Sequence, residues 1–581
     1  MKLRFRSPLL AAALLATTLA PSSFAQNLGR PIDAALRSLR AKQASSGLWG
    51  ESIEDTALVL YAYATSPRKF TVFDGPWLRR GVEALLAQRK GREGSFGTPR
   101  ESLLASLALE ALKTDVGVEV WRDAARGALR SLGHELAENS SGSALASLTR
   151  KALGENLPPA EPAPEAAAAL AEQLLAQKQA DGGFGEPRAT ALQILLLSRC
   201  ADALARKAAA SAPKKASAAL PAPLARYDLA AMRAKAARFL LDPAQRIGER
   251  WGFAGNADLG ITGMVIGGLH AIPEQERSPE VREAIARGLE LLAKAQRPDG
   301  SIHEGQVIAY STSIAILALA RSPKPEHASA LQRARAFLVG LQSDEGEGYD
   351  ENHKYYGGIG YGGSDRPDLS NLQKALDALV ATGAAPEDAA LQKALVFLQR
   401  AQNRSESNQG EIVNGEGVFV AGNDGGGIYA PGESHAGLEA GPDGRRIARS
   451  YGSMTYALLK GFLYAGLPKE DGRVKAAFDW ISRHYTIDEN PGFDLSADPN
   501  AGQQGLYYYL LAMAKTLDLY GAEQVVDAAG RAHPWRKEIA ARLAALQRAD
   551  GSWVNAQSER WMEGNAVLAT AYALQALEFC R

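Results

Sequence analysis

Two kinds of segment alternate along most of this chain. One kind is amphipathic and carries Lys and Arg, as in "LRRGVEALLAQRK" (78–90), "VREAIARGLELLAKAQ" (281–296) and "ALQRARAFLVGLQ" (330–342). The other is Ala- and Leu-rich and apolar on more than one face: "SIEDTALVLYAYA" (52–64), "RATALQILLLS" (188–198), "VIAYSTSIAILALA" (307–320) and "NAVLATAYALQAL" (565–577). No proline interrupts the apolar segments, so they predict buried helices, and the charged ones predict helices with one wet face. Between the two kinds lies a polar turn with a glycine. It reads "KQASSGLWGE" (42–51), "RKGREGSFGT" (89–98), "KQADGGFGEP" (178–187), "AQRPDGSIHE" (295–304) and "LQRADGSWVN" (546–555). The unit of outer helix, turn and inner helix recurs about every 40–50 residues, the signature of stacked αα-hairpins.

The turn chemistry predicts a clasp. Its glycine can take the left-handed conformation that ends the outer helix. The glutamine before it both donates and accepts, so it can hold orphan backbone groups at the two helix ends. The Trp or Phe that follows covers the joint.

Four hairpins are expected from about Pro31 to Leu204, the third of them, "HELAENSSGSALASLTRKAL" (134–153), degenerate. The stretch "RKAAASAPKKASAALPAP" (206–223) cannot build a core and predicts a linker over 206–225. Six more hairpins run from Leu229 to Phe579, enough to close an α6/α6 ring. The expected organisation is a signal peptide (1–25), a smaller helical-repeat domain (26–205), the linker, and a toroid (226–581).

The signal peptide rests on Lys2, Arg4 and Arg6, an apolar run from Leu9 to Leu19, and Ser23 and Ala25 placed for cleavage before Gln26. That run is too short for a membrane span, and no later stretch is long and apolar enough for one. An exported, periplasmic or extracellular protein is expected. Its loss takes three positive charges from a 65/65 balance and leaves −3, which suggests neither nucleic acid nor an anionic membrane as partner. Cys200 and Cys580 allow at most one disulfide, so stability must come from packing.

The motif Gln-x-x-x-Gly-x-Trp after a basic helix resembles the QW motif of the prenyltransferase and squalene oxidase repeat superfamily. "RARAFLVGLQSDEG" (333–346) and "KALVFLQRAQ" (393–402) match its N-terminal half, the first with Gly346 after Gln342 and Gly348 in the Trp slot. The resemblance covers nearly the whole mature chain. It implies an all-α fold, an α/α toroid whose inner helices line a central cavity, as in squalene and hopene cyclases and protein prenyltransferase β-subunits.

The chemistry of those relatives is not carried over intact. Squalene-hopene cyclases protonate their substrate from an Asp-x-Asp-Asp-Thr-Ala sequence. Here "SIEDTA" (52–57) keeps Asp55, Thr56 and Ala57 but has Ser52 and Glu54 in place of two aspartates. Protonating an alkene needs an unusually strong acid held by a carboxylate cluster. A lone Glu-Asp at a helix start is more simply an N-cap with a neighbour that complements the dipole. Protein prenyltransferases hold Zn²⁺ with Asp-x-Cys and a distant His. "RPDLSN" (366–371) has Asp368 but Ser370 for the Cys, and Ala569 stands where the His would be. Without soft ligands no transition metal is expected, and no cofactor motif is present.

The long loops of the second half concentrate the remaining chemistry. They are "GEGYDENHKYYGGIGYGGSDRPDLSN" (346–371), "GEGVFVAGNDGGGIYAPGESHAG" (415–437), "HYTIDENPGFD" (484–494) and "SERWMEGN" (558–565). In the second, "VFVAG" and "GGIYAP" around Asn423-Asp424-Gly425 predict a small β-hairpin. Asp-Glu-Asn occurs twice, in hairpins that a six-fold ring would set about 120° apart. Asp350, Glu351, Asp488 and Glu489 are therefore the candidate catalytic carboxylates, facing a shared mouth. His353, Tyr355, Tyr356, Asp368, Tyr429, Tyr451, His484, Tyr485 and Trp561 are the candidate substrate-binding residues, with His435 in the same cluster. Such Asp and Asn side chains also serve turns by bonding local backbone. His134 and His327 are expected to be solvated. Of Tyr507, Tyr508 and Tyr509, part must be core while one hydroxyl could face the cavity.

Three classes of function stay open: a terpene-cyclase-like enzyme or isomerase acting on an apolar isoprenoid-type ligand, a non-catalytic binding or scaffold toroid, and a carbohydrate-active toroid enzyme using paired carboxylates.

Overall fold

The computed structural model describes residues 21–89, 95–112, 164–211 and 227–580, apart from 254, 306, 363–365, 415, 416 and 497, with a few residues between 124 and 131. The chain divides into two compact units, Met1–Lys214 and Lys215–Arg581. Most of the signal peptide, the degenerate hairpin at 134–153 with His134, and most of the linker lie outside the described residues.

In the first unit the outer helices are α1 (Pro21–Ala41), α3 (Pro76–Ala87) and α5 (Pro164–Leu175). The inner helices are α2 (Ile53–Thr65), α4 (Pro99–Ala111) and α6 (Pro187–Ser211). Helix α2 packs on α4 and α6, and α1 packs on α6. Helix α6 continues six residues into the expected linker, because Ala and Lys there are strong helix formers. At the start of α2 the cap is Ser52, whose hydroxyl accepts from the Asp55 amide at 3.2 Å. Glu54 instead ties inner helices together, 2.7 Å from both Arg100 on α4 and Arg188 on α6.

The second unit holds six hairpins. Its outer helices are α7 (Leu229–Leu241), α9 (Pro279–Lys294), α11 (His327–Val339), α13 (Ala389–Arg400), α15 (Gly472–Arg483) and α17 (Trp535–Leu546). Its inner helices are α8 (Leu259–His270), α10 (Ile308–Leu319), α12 (Leu369–Ala381), α14 (Gly452–Tyr464), α16 (Leu506–Tyr520) and α18 (Ala566–Leu577). Each inner helix packs on the next, and α18 packs back on α8, so the ring closes. Outer helices fill the outside grooves, as α9 does between α8 and α10.

The repeated turn builds the ring by one device. In five hairpins the side-chain amide of a glutamine donates both its hydrogens to backbone carbonyls, at 2.7–3.0 Å. One acceptor is the carbonyl of the turn's own glycine. The other lies in the first turn of the next outer helix: Trp77 for Gln43, Ala330 for Gln296, Ala390 for Gln342, Arg473 for Gln402. Gln547, in the last hairpin of the second unit, reaches Met232 in its first and locks the circle. The glutamine thus joins neighbouring hairpins, where the sequence suggested it would serve the two ends of its own.

The turn glycine lies against that same outer helix, three residues further on. A Cβ on Gly47, Gly300, Gly357, Gly425 or Gly551 would sit 1.8–2.7 Å from a backbone carbonyl there, and all five have φ between +80° and +92°. Gly182 meets the Ala34 carbonyl of α1 in the same way, so the first unit also closes on itself. The aromatic residue completes the joint within its hairpin. The indole N–H of Trp49, Trp251 and Trp553 donates to the last turn of the outer helix at 2.6–2.8 Å. Their backbone amides donate to a Thr hydroxyl on the inner helix, Thr56, Thr262 or Thr570.

In the third and fourth hairpins the clasp is opened by an insertion. Gln342 bonds Gly357, 15 residues on, and Gln402 bonds Gly425, 23 residues on. Gly346 and Gly348, which the sequence placed in the motif, instead belong to a short 3-10 turn. Gly425 is a clasp glycine and not the tip of a β-hairpin. The strands lie on either side of it: β1 (Ile412–Asn414), β2 (Gly417–Phe419), β3 (Leu438–Ala440) and β4 (Arg446–Ala448) form one sheet in the order β1-β2-β4-β3. Only β2 and β4 run parallel. Among the described residues no helix is long and apolar enough to cross a membrane.

Gly551→Ala should cost about 2–4 kcal/mol, because it adds a steric clash to an unfavourable φ. Gly530→Ala, at φ +77° with open space around it, should cost only about 1 kcal/mol. Denaturant unfolding of the two variants separates the clasp from mere backbone strain. Because the second ring closes through Gln547 and Met232, residues 215–581 expressed alone should unfold in one cooperative transition by circular dichroism.

Candidate functional site

All four long loops emerge at the end of the ring where the inner helices begin. That end is held by caps. Asp368 is buried and accepts from the Asn371 amide at 2.8 Å, which starts α12. Asn490 is buried and accepts from the Ser453 amide at 2.8 Å, which anchors the fifth loop to α14. Glu563 is buried; it accepts from the Tyr508 amide at 2.8 Å and from Asn555 at 2.9 Å, and burial pushes its carboxyl up to about 7.

Over these caps the loops meet. Glu433 of the fourth loop accepts from Arg366 at 2.7 Å and from the Tyr355 hydroxyl at 3.4 Å, both from the third. The Leu369 amide donates to the Tyr429 carbonyl at 2.8 Å. Aromatic rings then run across three hairpins: Tyr429 to His435 (4.1 Å between centroids), His435 to Trp561 (5.4 Å), Trp561 to Phe493 (6.4 Å), Phe493 to Tyr451 (5.2 Å). Trp561 is 37 % exposed and sits at φ +56°, an unfavourable conformation for a bulky residue. Arg560 stacks on its ring at 4.9 Å.

The other candidates brace the rim. Asp350 is exposed and accepts from the Asn352 amide, a turn role, while Glu351 is exposed and its carbonyl takes an N–H of Arg400. His353 accepts from the Tyr355 amide, and its carbonyl takes another N–H of Arg400 at 2.7 Å. The Tyr356 hydroxyl donates to Glu345 at 2.7 Å. Asp488 lies 3.4 Å from Arg542 on α17, and burial with the neighbouring Asp488 raises the Glu489 carboxyl. Tyr485 occupies the slot that glutamine fills elsewhere and donates to Glu538 on α17 at 2.7 Å. His484 stacks on Trp480 at 4.1 Å. Among the described residues no hydrogen bond or ion pair links the two Asp-Glu pairs. Each is tied to the outer helix beside its own loop. His327 is buried, with Nδ1 2.8 Å from the Ser322 hydroxyl, and is not solvated as expected.

Below the collar the inner helices carry polar side chains toward one another. Tyr310 (α10) and Tyr508 (α16) are enclosed deeply enough that burial pushes their hydroxyls well above the usual range, yet both rings stay partly accessible, as does Ser370. Space therefore remains between them. Tyr310 and Tyr572 hydroxyls stand 3.3 Å apart, and Ser370 meets the Tyr508 hydroxyl at 3.1 Å. Of the three consecutive tyrosines Tyr508 faces inward; Tyr507 and Tyr509 donate to the loop carbonyls of Val554 and Thr486.

Deeper still lies a charge cluster on three inner helices. Lys460 donates to Asp377 at 3.0 Å and to Gln373 at 2.8 Å, Lys515 lies 3.0 Å from the same Asp377 oxygen, and Tyr464 donates to the other at 3.0 Å. Burial alone would raise Asp377, but Lys460, Lys515 and Lys374 outweigh it and hold the carboxyl well below its usual range. Burial pushes Lys460 down to about 7 and Lys374 to about 8. Carboxylates in the long loops do not point to these residues. A signal was nonetheless present: Ser370, Gln373, Lys374 and Asp377 recur at helical spacing on one face of an inner helix, and Lys460 interrupts the apolar "YALLKGFLY" (456–464).

Residues 260–420 match the family model of the squalene-hopene cyclase C-terminal domain. Among curated proteins nothing matches. Among solved structures, the apo form of the type II terpene cyclase MstE from Scytonema is similar at 16% identity, over 60% of this chain and 97% of that one, with a TM-score of 0.37. A variant of that cyclase in complex with its substrate geranylgeranyl dihydroxybenzoate is similar at 17% identity, over 61% and 97%, with a TM-score of 0.36. The match over 260–420 lies within the second unit and covers its second and third hairpins and part of its fourth, so that stretch is similar to the squalene-hopene cyclase C-terminal domain.

Proposed function

We propose that the second unit is a binding toroid for an apolar, isoprenoid-type small molecule, which enters through the aromatic collar and lies in the hollow of the ring. The observation that carries this reading is Trp561, held at positive φ and part-exposed within a run of rings above a tyrosine-lined space. Rings at an entrance with hydroxyls behind them suit an apolar body that ends in a polar group.

Binding is favoured over cyclisation by the state of the carboxyls. Starting a cyclisation on an alkene calls for a strong acid aimed at the chain. Asp377 is held ionised by lysines, and Glu563 accepts from backbone amides at a helix start. In the first unit Asp55 is raised chiefly by burial and stands beside Arg188. Each of these carboxyls has a structural partner. Export through the N-terminal signal is part of the same proposal, resting on residues 1–25, and would place the ligand outside the cytoplasm.

Organic extraction of the purified protein followed by mass spectrometry should recover an isoprenoid or similar lipid in near-stoichiometric amount. Trp561→Gly should lower that recovery several-fold with little change in thermal unfolding, since glycine relieves the positive φ as the ring is lost. Recovery no higher than from an unrelated helical protein would refute the binding reading. Glu54→Gln should leave lipid recovery intact and cost the first unit about 1 kcal/mol, from the loss of two half-buried arginine pairs.

A further inference from the structure

The charge cluster is unbalanced. Three lysines, Lys374, Lys460 and Lys515, share one carboxylate, so the centre carries two excess positive charges when all four groups are ionised. Both oxygens of Asp377 are already occupied, one by Tyr464 and the other by Lys460 and Lys515. Lys374 is left over. It is 5 % exposed and three residues before Asp377, hence on the same face of α12. Its amine makes no hydrogen bond or ion pair among the described residues; its recorded contact is the Tyr508 ring, 5.7 Å from its Nζ. An ammonium group has three hydrogens to donate, and one buried without partners is strongly disfavoured.

The groups facing this amine offer no further counter-charge. They are Asp377 on α12, Lys460 on α14, and Lys515 and the Tyr508 ring on α16. Asp377 is the one carboxylate that acts on Lys374 or Lys460. The tyrosine hydroxyls are neutral donors and acceptors that could add to an anion's coordination.

Lys374 lies five residues beyond Leu369, where α12 begins, and Asp377 eight. At about 1.5 Å per residue the backbone of Lys374 and Asp377 lies roughly 8–12 Å along α12 from the end that bears the collar. A free anion would fill only the bottom of that space. An anion on an apolar stem would fill all of it.

We infer that the ligand of this toroid is an amphipathic acid, whose carboxylate or phosphate head group sits among Lys374, Lys460 and Lys515 while its apolar body extends up to the aromatic collar. This deepens the binding reading above and rests on it. The head group supplies the missing negative charge, accepts the idle hydrogens of Lys374, and is shielded from water by the stem above it.

Three probes with one C15 chain test this on the delipidated full-length protein: farnesol, farnesoic acid and farnesyl phosphate, titrated by calorimetry. At pH 7 at least one of the two acids should bind about tenfold or more tighter than the alcohol, as charge-assisted bonds require, and the tighter one identifies the head group. The preference should be greatest near pH 6 and fade toward pH 9, because Lys460 and Lys374 lose their protons near 7 and 8. In Lys374→Met the preference should shrink to about twofold or less, with a melting temperature at or above that of the parent, since a buried amine without partners is replaced by an apolar chain of similar length. If the alcohol binds as tightly as both acids, or if Lys374→Met keeps the full preference, the ligand is neutral and this inference falls while the binding reading stands. If none of the three binds, both fall.

Discussion

A single amide group governs this architecture. Each clasp glutamine has two N–H hydrogens, and it spends one on its own turn and one on the outer helix of the neighbour. Every such bond contributes only about 1 kcal/mol. Their effect is geometric: wherever the clasp occurs, the same pair of carbonyls fixes one hairpin against the outer helix of the next. A linear stack built this way would need capping repeats at its ends. Here the sixth clasp finds the first hairpin, 315 residues away in sequence, and no end is left to cap. The close approach this demands leaves no room for a side chain on the turn residue, which is why glycine recurs there.

The clasp also explains where the protein can grow. In the third and fourth hairpins the chain leaves after the glutamine and returns at the glycine, so both feet of a long loop are pinned to one joint. Loops rooted like this can order against one another without loosening the ring. They do so through Glu433, which gathers Arg366 and Tyr355, and through the rings from Tyr429 to Tyr451. The collar is therefore an extension of the scaffold, and its strain at Trp561 is borne by a rim that packing has already fixed.

Closing six helices in a ring leaves a centre that none of them fills. Two separate chemistries occupy it, tyrosine hydroxyls above and a lysine-rich charge cluster below. The rim carboxylates Asp350, Glu351 and Asp488 are acidic groups in a wet or arginine-paired setting. Asp377, Lys374 and Lys460 are buried, and their protonation is set by burial and by the charges around them. Electrostatic work on a ligand is far stronger at the second place than at the first.

The six helical hairpins of the second unit and the ring they form were legible in the sequence, because helix periodicity, capping and turn glycines are local signals. So were the clasp residues Gln43, Gly47, Trp49, Gln547, Gly551 and Trp553, which lie within a few positions of each other. Reading failed where partners are distant. No local rule shows that Gln342 bonds Gly357 across an insertion, that His327 is buried, or that Tyr508 alone of three tyrosines faces inward. The Asp-Glu-Asn loops looked like a site because acidic residues in long loops attract attention, whereas a lysine in an apolar helix looks like noise. Sequence by itself determined which segments are helices and which faces they bury, since those follow from side-chain pattern over a dozen residues. Only the closed ring decided that Lys374, Asp377, Lys460 and Lys515 meet in one charge cluster: three different helices carry them, and the distances between helices exist only once the ring has shut.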